Sequence, residues 1–279
     1  MAVEDPRMKT TRLIPLLCAV LTTLIVVAAC GSVADDGPVT VTTSVSPQPS
    51  SDGYEVSDRL RDATMVWSAE PGVDLLSLEG TLIRASEESF VIGLMLGLDY
   101  AYLGFAKSSG SLGGGGILGG FRDDTGQGPF AGTIHGRIQQ IIPINGGFDV
   151  LSCVLAVGLD RQLDGKYVPS RLTGGEGSEQ RSRFVRTGES STATSPTPPP
   201  SVSSPDLLHW QAPSGNEFVG WEIDGFIDQD PVTSRNGRCA PWARSLYPDA
   251  PVNIPPDAYA HDNPPPVEPA YPGWPGNRN

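Results

Sequence analysis

Thr133-Ile134-His135-Gly136-Arg137-Ile138-Gln139-Gln140-Ile141-Ile142-Pro143 is followed by Ile144-Asn145-Gly146-Gly147 and then by Phe148-Asp149-Val150-Leu151-Ser152-Cys153-Val154-Leu155-Ala156-Val157. The first run alternates polar and apolar residues over part of its length, as a strand with one buried face does. Asn-Gly is a strong two-residue hairpin turn, because both central residues of that turn need positive φ. The second run returns as the partner strand and carries Cys153 at its middle. An antiparallel hairpin is therefore the centre of the fold.

Upstream, the periodicity becomes helical. Leu75, Leu78, Leu82 and Ala85 recur at helical spacing, and Leu76, Ile83, Phe90 and Leu94 line the adjoining row. Arg84, Glu87 and Glu88 fall on the opposite face. This predicts a helix from Asp74 to about Gly97 with Asp74 near its N-cap, then a shorter helical piece over Tyr100 to Ser108. Residues 54–67 open the fold, with Ser57-Asp58 as an N-cap signal. Downstream, Phe218 to Ile227 alternates again, with Trp221 and Ile223 apolar and Glu222 and Asp224 charged, as in a half-buried strand. Further strands are sought in 120–132, 160–172 or 207–211.

One long helix, a hairpin and a later strand imply an α+β domain, with the helix laid across a curved antiparallel sheet. This element order resembles the NTF2-like or cystatin-like cone over roughly residues 57 to 230. The resemblance rests on order alone and implies a pocket between helix and sheet.

The chain has 279 residues and a formal charge of −13, with 33 Gly and 27 Pro gathered in a few segments. Gly113 to Gly116 and Gly119-Gly120 lack the Gly-Lys-Ser/Thr ending of a phosphate loop and read as a flexible connection. Residues 174–204, which contain Pro198-Pro199-Pro200, read as a low-complexity insertion. Residues 248–279 read as a Pro-rich disordered tail. Strong acidity opposes nucleic-acid binding and electrostatic attachment to anionic membranes.

The N-terminus carries Lys9 and Arg12, then an almost wholly apolar run from Leu13 to Ala29, then Val27-Ala28-Ala29-Cys30. This is the basic, apolar and small-residue order of an export signal, and Met8 is a cleaner start than Met1. The cysteine after Ala-Ala resembles the lipobox of bacterial lipoproteins. That resemblance implies cleavage before Cys30 and acylation of its thiol, palmitate included, with anchoring at the extracytoplasmic face of the cell membrane. Residues 1–29 are then the signal and 30–53 a lipidated tether reaching about 25–30 Å. A single domain spans 54–247. Removing three basic and two acidic residues leaves the mature chain at −14. With Cys18 cleaved away and Cys30 acylated, Cys153 and Cys239 remain as a disulfide pair in an oxidising compartment.

Little points to chemistry. Glu79 falls within the apolar stripe of the predicted helix, where a carboxylate could act as a general base. Its place near the helix start equally suits its charge to the dipole. His135 could pair with a carboxylate or simply pack. His135, His209 and His261 are too scattered for a metal site, and no cofactor is expected. Trp67, Trp210, Trp221 and Trp242 read as core or edge aromatics, and could bind sugar if clustered on an exposed face. The expectation is a non-catalytic, lipid-anchored binding or accessory module with envelope proteins as partners. The rival is an NTF2-like pocket protein, a ligand carrier or an enzyme, using Glu79 and His135.

Overall fold

The structure is a computed structural model that describes residues 53–109, 121, 128–170, 172–188, 206–225, 237–252 and 259–274. The chain divides into units Met1–Ser46 and Pro47–Asn279, and every described residue belongs to the second. The signal segment, Cys18, Cys30, the tether up to residue 52 and the glycine-rich stretch 110–120 lie outside the described residues.

The expected hairpin forms and is longer than its sequence signal. Strands β2 (Phe130–Ile144) and β3 (Gly147–Leu163) pair antiparallel, with Ile144 opposite Gly147. Gly146 turns the chain at φ +77°. The register shifts twice, between Thr133 and His135 and between Ile138 and Gln140. Such bulges interrupt the alternation and re-aim side chains, which is why the pattern is only partial in sequence.

The sheet is mixed rather than purely antiparallel, which corrects the expected architecture. Strand β1 (Asp62–Ala69) pairs parallel with β2. Parallel neighbours need a crossover, and helix α1 (Leu78–Leu96) lies in that connection. The helix is thus preceded by a strand and does not open the domain. Ser77 caps it, its hydroxyl accepting from the Gly80 amide at 3.0 Å. Asp74 instead accepts from the Leu76 amide at 2.8 Å and shapes the preceding turn. Ser57 caps a 3₁₀ turn, Asp58–Leu60. The second helical piece shortens to a 3₁₀ turn, Leu98–Tyr100, and helix α2 (Phe105–Ser108).

Strand β4 (Lys166–Pro169) folds back on the end of β3, and β6 (Trp221–Gly225) occupies the predicted alternating stretch. Between them lies β5 (Ser178–Arg186), giving the order β1-β2-β3-β5-β6. This corrects the reading of 174–204 as an insertion; residues 189–204 lie outside the described residues. Ser-Glu-Gln-Arg-Ser-Arg has no apolar alternation, so it carries no strand signal. It is held by its backbone ladder to β3 and by the bidentate pair of Arg183 with Asp149, at 2.6 and 2.8 Å.

Both faces of the sheet are covered. Trp67, Gly136, Ile138 and Ser152 point to the face that α1 packs on, where Glu88 and Glu87 meet Trp67 and Ser152. A Cβ on Gly136 would sit 2.6 Å from the Trp67 ring, so the helix-side core requires glycine there. His135 and Cys153 point to the other face. Helix α3 (Cys239–Leu246) is tied to that face by the Cys153–Cys239 disulfide.

Residues 259–274 do not form the expected disordered tail. The Trp67 amide donates to the Tyr271 carbonyl at 2.8 Å, and the Tyr271 amide donates to Met65 at 3.3 Å, so the segment extends the sheet past β1. Ala270 and Trp274 are buried. Dense proline prevents regular structure but permits single bridges along a sheet edge, and no periodic pattern announces them.

Candidate functional site

The Cys153–Cys239 disulfide forms as expected, with Cα atoms 5.6 Å apart across 86 positions. Glu79 and His135 do not converge, which removes the geometry the enzyme reading needs. Glu79 sits half-buried in the first turn of α1, on one side of the sheet. His135 projects from β2 to the other side. Its Nε2 lies 3.3 Å from Glu268, and its ring meets the Tyr247 ring edge-on at 5.7 Å. Burial lowers the His135 pKa, with the Glu268 carboxylate opposing. Trp67, Trp210 and Trp221 are core residues, so they form no exposed sugar platform.

Between α1 and the sheet lies a buried polar cluster rather than a pocket. Arg84, Glu87 and Glu88 are 1–2% exposed, against the solvent-facing place their spacing predicts. The helix is enclosed on its far flank too, by the C-terminal segment and by residues 98–109 and 206–218. Glu88 accepts from the indole nitrogens of Trp67 and Trp274, each at 2.8 Å, and from the Tyr102 hydroxyl at 2.6 Å. The Trp210 indole donates to the same hydroxyl at 2.9 Å. Arg84 stacks on Trp274 at 4.2 Å and donates to the Gly273 carbonyl at 2.6 Å. Burial raises the Glu88 pKa, opposed first by the Arg84 charge and then by the three donors. Every oxygen of Glu88 is occupied from within the chain, so the cluster holds α1, the 98–109 stretch and the C-terminal segment together. Among the described residues Glu87 accepts from Ser152 alone, at 2.8 Å, and burial pushes its pKa up to about 7.

The open concavity is on the opposite face. A cleft of 630 Å³ lies between β3, the end of α3 and residues 259–266. This is within the range of small-molecule sites, about 300–1,000 Å³. Tyr247, Pro251, Tyr259 and Pro264 to Pro266 make its walls largely apolar, with Asp160 and His261 as its polar pair. Each wall has a cause. The disulfide fixes α3 and hence Tyr247, which follows it directly. His261 exchanges two backbone hydrogen bonds with Tyr167 of β4, at 2.8 and 3.0 Å. Its Nε2 contacts Asp160 Oδ2 and its Nδ1 contacts the Asn263 carbonyl. Burial raises the Asp160 pKa, with the His261 hydrogen bond and charge opposing. Burial, then Glu268, raises that of Tyr247.

Sequence reasoning gave Asp160, His261 and Tyr247 no role in a site: Asp160 stood in a stretch searched for a further strand, Tyr247 closed the expected domain, and His261 fell in the segment read as a tail. The available signal was the pair Tyr247 and Tyr259 amid prolines, aromatic residues that a purely solvated tail does not need. Among the described residues, no group of three or more His, Cys, Asp and Glu side chains is placed to hold a metal ion, and no helix is long and apolar enough to cross a membrane. No family model, curated protein or solved structure matches the chain.

Proposed function

We propose that this protein is a lipid-anchored envelope protein whose α+β domain binds a small apolar ligand in the cleft between β3, α3 and residues 259–266. The observation that carries this reading is the cleft itself. It is open, of ligand size, lined by proline and tyrosine, and framed by a disulfide and by paired backbone. Rigid framing favours binding, because little ordering is left to be lost on association. No Ser, Thr, Cys or Lys stands beside the Asp160–His261 pair among the described lining residues, which favours binding over catalysis. The order of basic residues, apolar run and Ala28-Ala29-Cys30 supports anchoring at the extracytoplasmic face of the membrane. A cone of the NTF2-like or cystatin-like kind is supported by α1 lying across antiparallel β2, β3, β5 and β6; parallel β1 departs from that pattern.

Binding is tested with N-phenyl-1-naphthylamine, a neutral dye that brightens in apolar sites. The full chain is compared with Ala250→Trp, which fills the cleft, and with Leu246→Glu, which charges its exposed rim. Both variants should lose the cleft's share of the fluorescence, and equal signals from all three proteins sink the reading. Anchoring is tested separately. Cys30→Ala should release the protein from membranes or leave an unprocessed precursor, and normal processing with membrane retention overturns it.

A further inference from the structure

Two walls of the cleft share one anchor on the sheet. Tyr247 forms one wall and Pro264 to Pro266 the other. Behind them stands His135, which is 7% exposed and projects from β2 on the cleft side. Its ring meets the Tyr247 ring edge-on at 5.7 Å. Its Nε2 lies 3.3 Å from Glu268, two residues past Pro266. The Glu268 backbone is also clamped to the sheet. Its amide donates to the Thr133 hydroxyl at 2.8 Å, and its carbonyl accepts from the Thr64 hydroxyl at 2.7 Å. One imidazole thus touches the supports of both walls.

The surroundings of that ring suit its neutral form. Nδ1 is buried, and among the described residues no polar group reaches it. With Nε2–H donating to the Glu268 carboxylate, Nδ1 carries only a lone pair. A charged ring has a second N–H at Nδ1, buried without an acceptor. The neighbours do not supply one. Val66 of β1 and Leu155 of β3 stand beside His135 in register, and neither titrates. Along the same face Arg137 is paired with Glu70 at 2.8 Å, and Asp160 is paired with His261. Tyr247 presents its ring, and Glu268 lies at Nε2. Burial outweighs the Glu268 charge and lowers the His135 pKa. An arrangement in which the imidazole reaches water takes up the proton more readily than the packed one. The packed arrangement is therefore fully favoured above the ordinary histidine value of 6.5 and weakens as pH falls below it.

We propose that His135 is the positioning residue of the cleft: neutral, it holds Tyr247 and the 264–268 stretch in place, and charged, it releases them, so that the site gives up its ligand in acid. This rests on the binding reading above and adds its regulation. His135 touches no ligand and acts through the two walls.

The test is titration of the full chain with N-phenyl-1-naphthylamine at pH 7.5 and 5.5, one unit either side of the ordinary value of 6.5. The signal of Ala250→Trp is subtracted at each pH, so that dye on the apolar N-terminal segment does not count. The dissociation constant should rise severalfold in acid, up to about tenfold, the full effect of one such group. The far-UV circular dichroism should stay unchanged. His135→Gln keeps a donor for Glu268 and cannot be charged, so it should bind alike at both pH values. Glu268→Gln keeps an acceptor at Nε2 and removes the opposing charge, so its acid loss should persist; it decides alone if His135→Gln does not fold. Acid loss that survives in His135→Gln, disappears in Glu268→Gln or accompanies unfolding of the whole domain overturns the assignment. Equal binding by the wild type at both pH values does the same, and each of these leaves the ligand site standing. Dye fluorescence that never exceeds the Ala250→Trp baseline overturns both.

Discussion

Glu87 is a carboxyl group enclosed by protein with one hydroxyl for company. Its folded pKa of about 7 lies above the ordinary value of 4.5. Between those values the folded state binds more protons than the unfolded chain, so stability falls as pH rises through the window. The contribution is intact below pH 4.5 and lost above about pH 7. A shift of that size corresponds to about 3 kcal/mol. Glu87→Gln keeps an oxygen to accept from Ser152 and removes the titration. It should match the wild type near pH 4.5 and exceed it by up to about 3 kcal/mol at pH 8, as read by urea unfolding at both values. Equal pH profiles for the two proteins count against the burial of Glu87. Glu88, its neighbour, differs because it is surrounded by donors. Burial raises its pKa too, but the Arg84 charge and the three donors oppose that rise, where Glu87 has Ser152.

At the scale of elements, the disulfide joins the middle of a central strand to a short helix. Eight residues of helix are too few to persist alone in water, so α3 depends on that bond and on its packing. Replacing both cysteines by alanine should cost about 4–5 kcal/mol in the chain-entropy account. It should also abolish dye binding in the cleft, because Tyr247 leaves its wall. Unfolding midpoints and dye titration on the double variant check both effects; a variant that binds dye at full strength refutes the dependence of the cleft on α3. The hairpin was legible in place, because Asn145-Gly146 favours a tight turn between two apolar runs, but only Gly146 takes the positive φ expected of both turn residues, and the bulges hid the strands' full length. Helix α1 was legible in position but misread in exposure. Arg84, Glu87 and Glu88 look solvated by spacing, and only long-range partners such as Trp274 reveal that they are enclosed. Strand β5 was illegible, since its stability resides in a ladder and in Arg183–Asp149 rather than in apolar alternation.

For the molecule as a whole, the C-terminal segment decides the outcome. It was read as disordered because proline density and lack of period are local properties, whereas its partners lie at the other end of the domain. Trp274 joins Glu88 across 186 positions. Trp274→Ala removes a large buried ring, one donor to Glu88 and the stacking surface of Arg84, and should cost about 3–5 kcal/mol by chemical denaturation. A loss under about 1 kcal/mol would show the segment to be a passive covering. The disulfide and the cleft were traceable only unequally: Cys153 and Cys239 stand out by elimination, while Asp160 and His261 meet through a segment without pattern.

The pairing of Tyr271 with Met65 and Trp67 also orders events in time. Synthesis from the N-terminus delivers β1 long before it delivers the residues that close its edge. Until then Glu88 and Arg84 lack their last partners and the first strand stays open. The domain is thus unable to complete itself until its last segment has been released.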